Sequence, residues 1–391
     1  MPNNFFSDEF GDLEDYFITD YTLIDQYIGD TLWTWGRNDF GQLGVNNNTQ
    51  RNTPVTTLLG GTNWKSIAGG GSRTIALKTD GTLWSWGQNT FGQFGVNDAT
   101  NRLTPVTTLL GGNNWKSIAG GYHTIALKTD GTLWTWGRND FGQLGVNNIT
   151  TRSTPVTTLL GGTNWKSIAG GYRHTIALKT NGTLWTWGRN DFGQLGVNDS
   201  TDRYTPVTTL LGETNWKSIS SEGNHTLALK TDGTLWTWGR NDFGQLGVND
   251  ATNRLTPVTT LLGGNNWKSI AGGYRHIIAL KTDGTLWTWG RNDFGQLGVN
   301  DTRPRSTPVT TLLGGTNWKS IAGGISHTVA LKTDGTLWTW GRNSSGELGV
   351  NNTIARSTPV TTLLGETNWK SIAGGVYHTV ALTAGQAVDF S

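Results

Sequence analysis

The chain has 391 residues and no cysteine, which excludes a disulfide framework, a thiolate metal site and a cysteine nucleophile. Only 15% of its residues are charged and the net charge is +2. No apolar run approaches the ~20 residues of a membrane-spanning helix, and the start, MPNNFFSDEF, lacks the basic opening and apolar stretch of a secretory signal.

The charge is unevenly placed. Residues 1–30 hold eight acidic groups, from Asp8 to Asp30, and no Lys or Arg, so the remainder carries +10. The same segment holds Phe5, Phe6, Phe10, Tyr16, Phe17, Tyr21 and Tyr27. That many aromatics is unusual for a solvated tail. They suit an arm that buries them, either on its own domain or in a partner, because aromatics dominate interface anchors. We expect 1–30 to be a docking arm and 31–391 the folded domain.

From Asp30 onward the chain repeats. Trp-Gly falls at Trp35, Trp86, Trp136, Trp187, Trp238, Trp289 and Trp340, five spacings being 51 residues and one 50. Asn-Trp-Lys-Ser-Ile keeps the same beat at Trp64, Trp115, Trp165, Trp216, Trp267, Trp318 and Trp369. A fixed period near 50 means one supersecondary unit repeated around a shared core. One period parses as four short strands. Trp165–Ala169 alternates, and His174–Leu178 alternates with His174, Ile176 and Leu178 on one face. Asn181-Gly182 is a hairpin turn, Asp-Gly in most other repeats, and both tolerate the positive φ a tight hairpin needs. Thr183–Trp187 is a third strand. Thr205–Leu211 is a fourth, with a proline that fits an edge.

Four antiparallel strands in each of seven periods predict an all-β, seven-bladed β-propeller. Call the strands a to d from axis to rim. The chain enters at strand c and leaves after strand b. The closing blade is therefore built from both ends, strands c and d from about residues 31–60 and strands a and b from about 366–383. Closure removes exposed sheet edges.

The motif WGRNDFGQLG at Trp35–Gly44, with AGGYRHTIALKTNG at Ala169–Gly182, resembles the regulator of chromosome condensation repeat family. The likeness runs over residues 31–383. It implies a seven-bladed propeller closed by both termini and a binding scaffold rather than an enzyme. Guanine-nucleotide exchange or chromatin-type regulation is a second implication, although here the repeats are nearly uniform and the tail is acidic. Light-sensing members carry tryptophan in Gly-Trp-Arg-His-Thr, whereas this chain has Tyr172 and Tyr274 at the matching positions and tryptophan in no repeat. The uniform repeats behind an acidic aromatic start are similar to bacterial and bacteriophage versions.

Each conspicuous residue set repeats with the blade, and repetition favours a structural role. The 21 tryptophans fall three per repeat and suit inter-blade packing. His123, His174, His225, His276, His327 and His378, with Arg73 at the seventh position, sit at the start of strand b. One per blade, they are expected to bond nearby backbone groups rather than a metal. Arg37, Arg138, Arg189, Arg240 and Arg291 precede Asp39, Asp140, Asp191, Asp242 and Asp293 by two residues, as loop-fixing ion pairs would. Lys65, Lys116, Lys166, Lys217, Lys268, Lys319 and Lys370 form a ring at the start of strand a, expected to be a solvated rim. No catalytic motif is present, and we expect no cofactor and no metal.

The repeats differ chiefly in the a–b and c–d loops, which antiparallel strands place on one face of the disc. Differences collected on one face suggest that this face meets something asymmetric. The candidate binding residues there are Arg73, Tyr122, Tyr172, Arg173, Arg203, Tyr204, Glu222, Asn224, Tyr274, Arg275, Arg303, Arg305 and Tyr377. Blade 5 also reads Ser220-Ser221-Glu222 where other repeats read Ala-Gly-Gly. The expectation is a non-enzymatic structural or adaptor propeller with a protein partner and no membrane span. A virion component held by its arm (fibre, neck or capsid surface) is its narrowest form, with a cytoplasmic protein otherwise. A glycan- or anion-binding propeller, facing a host surface, is a further alternative. Nucleic acid is not an expected partner.

Overall fold

The computed structural model describes residues 27, 28 and 30–387. Seven four-stranded antiparallel sheets surround one axis, which the seven a strands line. Blades are numbered here by the Trp-Gly of their c strand. Blade 1 is the closing blade, with strands in the order Trp369–Gly374, His378–Thr383, Thr31–Gly36 and Arg51–Thr56. Its register runs from Thr31 opposite Thr383 to Gly36 opposite His378. The two chain ends thus share a continuous ladder, as the phase of the repeat predicts. Among the described residues no helix is long and apolar enough to cross a membrane.

Blade 4 represents the others. Its strands are Trp165–Gly170, His174–Lys179, Leu184–Gly188 and Arg203–Thr208. Strand d corrects the expected Thr205–Leu211, because it starts two residues earlier and stops three earlier. After Thr208 the chain turns, with Gly212 N–H bonded to Thr209 O at 3.1 Å, and Leu210 is left 58% exposed. The early start is a bulge. Thr186 faces Val207 and Gly188 faces Arg203, so residues 204–206 oppose Trp187 alone. Pro206 sits in that bulge, on an edge strand, where its missing N–H is tolerated.

The core lies between blades. Ile176, Leu178 and Leu184 of blade 4 pack with Trp216, Ala228 and Trp238 of blade 5. The Gly-Gln-Leu-Gly turn is the latch of this packing. Trp238 is fully buried, and its indole N–H donates to Gln194 O in the turn of blade 4 at 3.0 Å. Gly196 ends that turn at φ +69°, and a Cβ there would lie 2.8 Å from the Trp238 indole nitrogen. Only glycine lets the ring seat. The other two tryptophans of the blade flank a cation. Lys230 Nζ lies 5.2 Å from the Trp216 ring and 4.0 Å from that of Trp236, and pairs with Glu213.

Beyond the blades, Tyr27–Ile28 pairs antiparallel with Gln386–Ala387. The remaining aromatics of the expected arm, Phe5, Phe6, Phe10, Tyr16, Phe17 and Tyr21, lie outside the described residues.

Candidate functional site

The b strands carry the histidines inward, each against the next blade. His276 Nε2 lies 3.0 Å from Thr328 Oγ1, His327 Nε2 3.1 Å from Thr379 Oγ1, and His378 Nε2 3.0 Å from Thr74 Oγ1. The partner is thus a side chain one blade away, not the local backbone group expected. Each threonine spends its own proton on a carbonyl, as Thr328 does on Gln296 O at 2.8 Å. The imidazole must therefore be the donor, which assigns the Nε2–H tautomer. All six rings are buried, and desolvation pushes their pKa values down from 6.5, to about 3 for His123, His174, His276 and His327 and to about 4 for His225 and His378. Five of them are neutral ring-closing donors. Among the described residues no group of histidines and carboxylates is placed to hold a metal.

Two seams depart from this pattern. Arg73 replaces histidine in blade 2 and keeps the link, its guanidinium donating to Thr124 Oγ1 at 3.0 Å and to Gly121 O at 2.8 Å. Burial lowers its pKa to about 9. In blade 6 Ile277 replaces threonine, and neither ring nitrogen of His225 has a partner. We expect Thr328→Val to cost about 1–3 kcal/mol, since it strands the buried His276 N–H. Ile277→Thr, which offers His225 a partner, should cost less. Urea midpoints of the two variants measure this, and equal losses would mean the bond adds nothing.

The variable loops converge on one mouth of the axial channel. Its cavity, about 390 Å³, is lined by Tyr122, Tyr172, Tyr274, Tyr377, Glu222 and Ile325, with Arg37, Phe40 and Gln88 at the edge. The tyrosines pack edge to face. Tyr122 and Tyr172 have centroids 4.6 Å apart, and Tyr172 and Tyr274 5.6 Å. Desolvation, then the neighbouring Tyr172, pushes the Tyr122 phenol up to about 12. Glu222 is the one carboxylate of the lining. Desolvation raises its pKa well above the carboxylate range, against the pull of Arg73. It forms no ion pair or hydrogen bond through its carboxylate among the described residues. The cavity falls in the size range of ligand pockets, with aromatic walls and few polar groups.

The expected binding residues separate into three groups. Tyr122, Tyr172, Glu222, Tyr274 and Tyr377 line the mouth. Arg173 and Arg275 stand beside it, stacked on Phe141 and Phe243 at 4.9 Å. Arg203, Tyr204 and Arg305 open outer d strands and Arg303 lies in the c–d loop, with Arg203 paired to Asp199 at 2.5 Å and Arg305 to Asp301 at 2.6 Å. Tyr204 is exposed and packs against Gly142 of the preceding blade. Arg73 and Asn224 are corrections to the surface reading, because both are buried, at 1% and 3% exposure. The Arg73 guanidinium reaches across the seam to the next blade, and Asn224 is buried with its Oδ1 unpartnered. Arg37, Phe40 and Gln88 were missed because they precede the divergent c–d stretch, in the turn just after Trp-Gly, whereas the candidates were taken from the divergent loops. Arg37 pairs with Asp39 at 2.5 Å, as the two-residue spacing predicts.

The family description "RCC1-like domain" matches residues 28–257, and that of the regulator of chromosome condensation (RCC1) repeat matches residues 283–331 and 334–382. The ultraviolet-B receptor UVR8 of Arabidopsis thaliana is 34% identical over 362 residues, 91% of this chain and 71% of that protein. A probable E3 ubiquitin-protein ligase, HERC4 of Rattus norvegicus, is 33% identical over 207 residues, 51% of this chain but only 19% of that protein. Among solved structures, Prp20p of Saccharomyces cerevisiae, described together with its binding to Gsp1p and histones, superposes with a TM-score of 0.81 at 23% identity, covering 94% of both chains. Human WBSCR16 gives 0.80 at 22%, covering 90% of this chain and 99% of that one.

Proposed function

The chain belongs to the regulator of chromosome condensation (RCC1) repeat family, and on that premise we propose that it is a non-enzymatic propeller that binds a protein partner at the tyrosine-lined mouth. One observation carries the reading. Seven nearly identical blades abandon their uniformity where the a–b loops converge, and four of the divergent residues there are half-buried tyrosines. Aromatic anchors around a concave centre are what an interface hot spot requires. The scaffold beneath is held by inter-blade hydrogen bonds, five of them neutral His–Thr links.

Relatives narrow the reading only in part. The ligase activity named for HERC4 is not carried over, since this chain spans 19% of that protein. Light reception is not carried over either, since Tyr172 and Tyr274 stand where light-sensing members have tryptophan. Nucleotide exchange on a GTPase is the second reading, and a nucleotide-release assay with no acceleration removes it. A glycan or anion ligand is supported by Arg173 and Arg275, which sit beside the mouth with no carboxylate partner among the described residues, and a glycan array tests it. A virion component is the narrowest form of the structural reading. It is supported by repeat uniformity and the acidic aromatic start, and is tested by looking for the chain in purified particles.

The test of the leading reading uses a photo-crosslinker at Tyr274 and, separately, at Leu160 on the opposite face, in an extract of the source cells. Capture from position 274 alone, abolished by Tyr122→Ala with Tyr172→Ala while the melting temperature holds, is expected. Capture from position 160 alone would assign the wrong face.

A further inference from the structure

The face opposite the mouth has its own pattern. It carries the d–a loops and the starts of the a strands. The first leucine of each d–a loop, from Leu58 to Leu363, is 58–63% exposed in all seven blades. The ring of lysines from Lys65 to Lys370 is exposed in all seven as well. Six of these lysines have no carboxylate partner among the described residues. The seventh, Lys370, is held by Asp30.

Asp30 is the last acidic residue of the N-terminal segment. It is nearly buried, its second carboxylate oxygen accepts the Gly385 N–H at 3.1 Å, and it bridges to Asn63 in a d–a loop. The chain therefore meets the propeller on the lysine face, and its first contact there is an acid on a ring lysine. Upstream lie seven more carboxylates between Asp8 and Asp25, no basic side chain, and seven aromatics, six of them before residue 27. Seven like charges around one axis repel, and opposing charges brought close relieve that repulsion. Exposed leucines beside them offer apolar surface that aromatic side chains would cover. Reach is no obstacle, since 26 extended residues span up to about 85 Å, whereas the four strands of a blade span about 15 Å.

We propose that residues 1–26 dock in cis on the lysine–leucine face of their own propeller, carboxylates on the lysine ring and aromatics over the leucines. Asp30 on Lys370 is the first pair of that series. The docked arm covers the lysine ring and leaves the tyrosine mouth free.

The test is zero-length carbodiimide cross-linking of the full-length chain at low salt, read by peptide mass spectrometry on an equal mixture of ¹⁴N- and ¹⁵N-labelled protein. Expected are links from residues 8–25 to ring lysines such as Lys65, Lys166 and Lys268, all within one isotopic population. They should vanish in 1 M salt, where the screening length falls to about 3 Å, and in a full-length variant whose seven upstream carboxylates are changed to amides. Mixed-isotope links making up about half of the total, as random pairing of two copies gives, would overturn docking in cis and place the arm on a second copy. The absence of links from 8–25, with Asp30 still joined to Lys370, would overturn docking altogether.

Discussion

Lowering the pH from 7 to 5 is expected to unfold this propeller. Six histidines are fully buried and bond as neutral donors or, for His225, not at all. Their folded pKa values lie at about 3 to 4, below the ordinary 6.5. Below pH 6.5 the unfolded chain takes up protons that the folded chain refuses. Stability is thus greatest above neutrality and falls as pH drops from 6.5 toward the folded values, by about 1.4 kcal/mol per pH unit for each group. Summed over six sites, the loss between pH 7 and 5 is on the order of 10 kcal/mol, the scale of a whole domain's stability. Glu222, Glu347 and Asp202, whose pKa values are raised by burial, pull the other way, but they are three against six. The aspartates with lowered pKa values, such as Asp199 and Asp250, add to the loss only nearer pH 4. Thermal melts at pH 7.5, 6 and 5 measure the effect, and His327→Gln should flatten the pH dependence. A melting temperature unchanged at pH 5 would mean that the rings can be protonated without opening the seams.

Trp238→Ala is expected to be the most damaging single truncation in blade 5. The ring is fully buried, donates to Gln194 O and packs at 6.2 Å from Trp216. Its loss leaves a cavity in the seam between blades 4 and 5 and should cost about 3–5 kcal/mol. Trp236→Ala, at a half-buried position beside Lys230, should cost clearly less. Trp238→Phe refills much of the volume without the N–H and should fall between the two. Denaturant unfolding ranks the three variants. If Trp236→Ala is as harmful as Trp238→Ala, the latch on the preceding turn is not what the buried tryptophans provide.

Much of this was legible from residues alone. The Asn181-Gly182 turn, the alternation of His174–Leu178 and the mid-blade phase of the repeat specify hairpins, strands and closure. The early start of strand d at Arg203 was not legible, because Pro206 reads as a strand start when the bulge across from Trp187 is unseen. The histidine partners were missed for a different reason. Thr328 lies 52 residues from His276, and nothing local links them. A signal was available, since His-Thr recurs in five of the six histidine repeats and His276-Ile277 breaks it.

For the candidate site, the chain itself marked which loops diverge, and among them Tyr122, Tyr172 and Tyr274 prove to share one mouth. It could not distinguish them from Arg73 and Asn224, which diverge equally but are buried. The blade, the number of blades and the mode of closure follow from local pattern, because alternation and turn chemistry act over a few residues and then repeat. Which divergent residues meet solvent and which meet the next blade follows only from the closed ring, because closure sets side chains about 50 positions apart against one another, and burial there depends on the neighbour's volume.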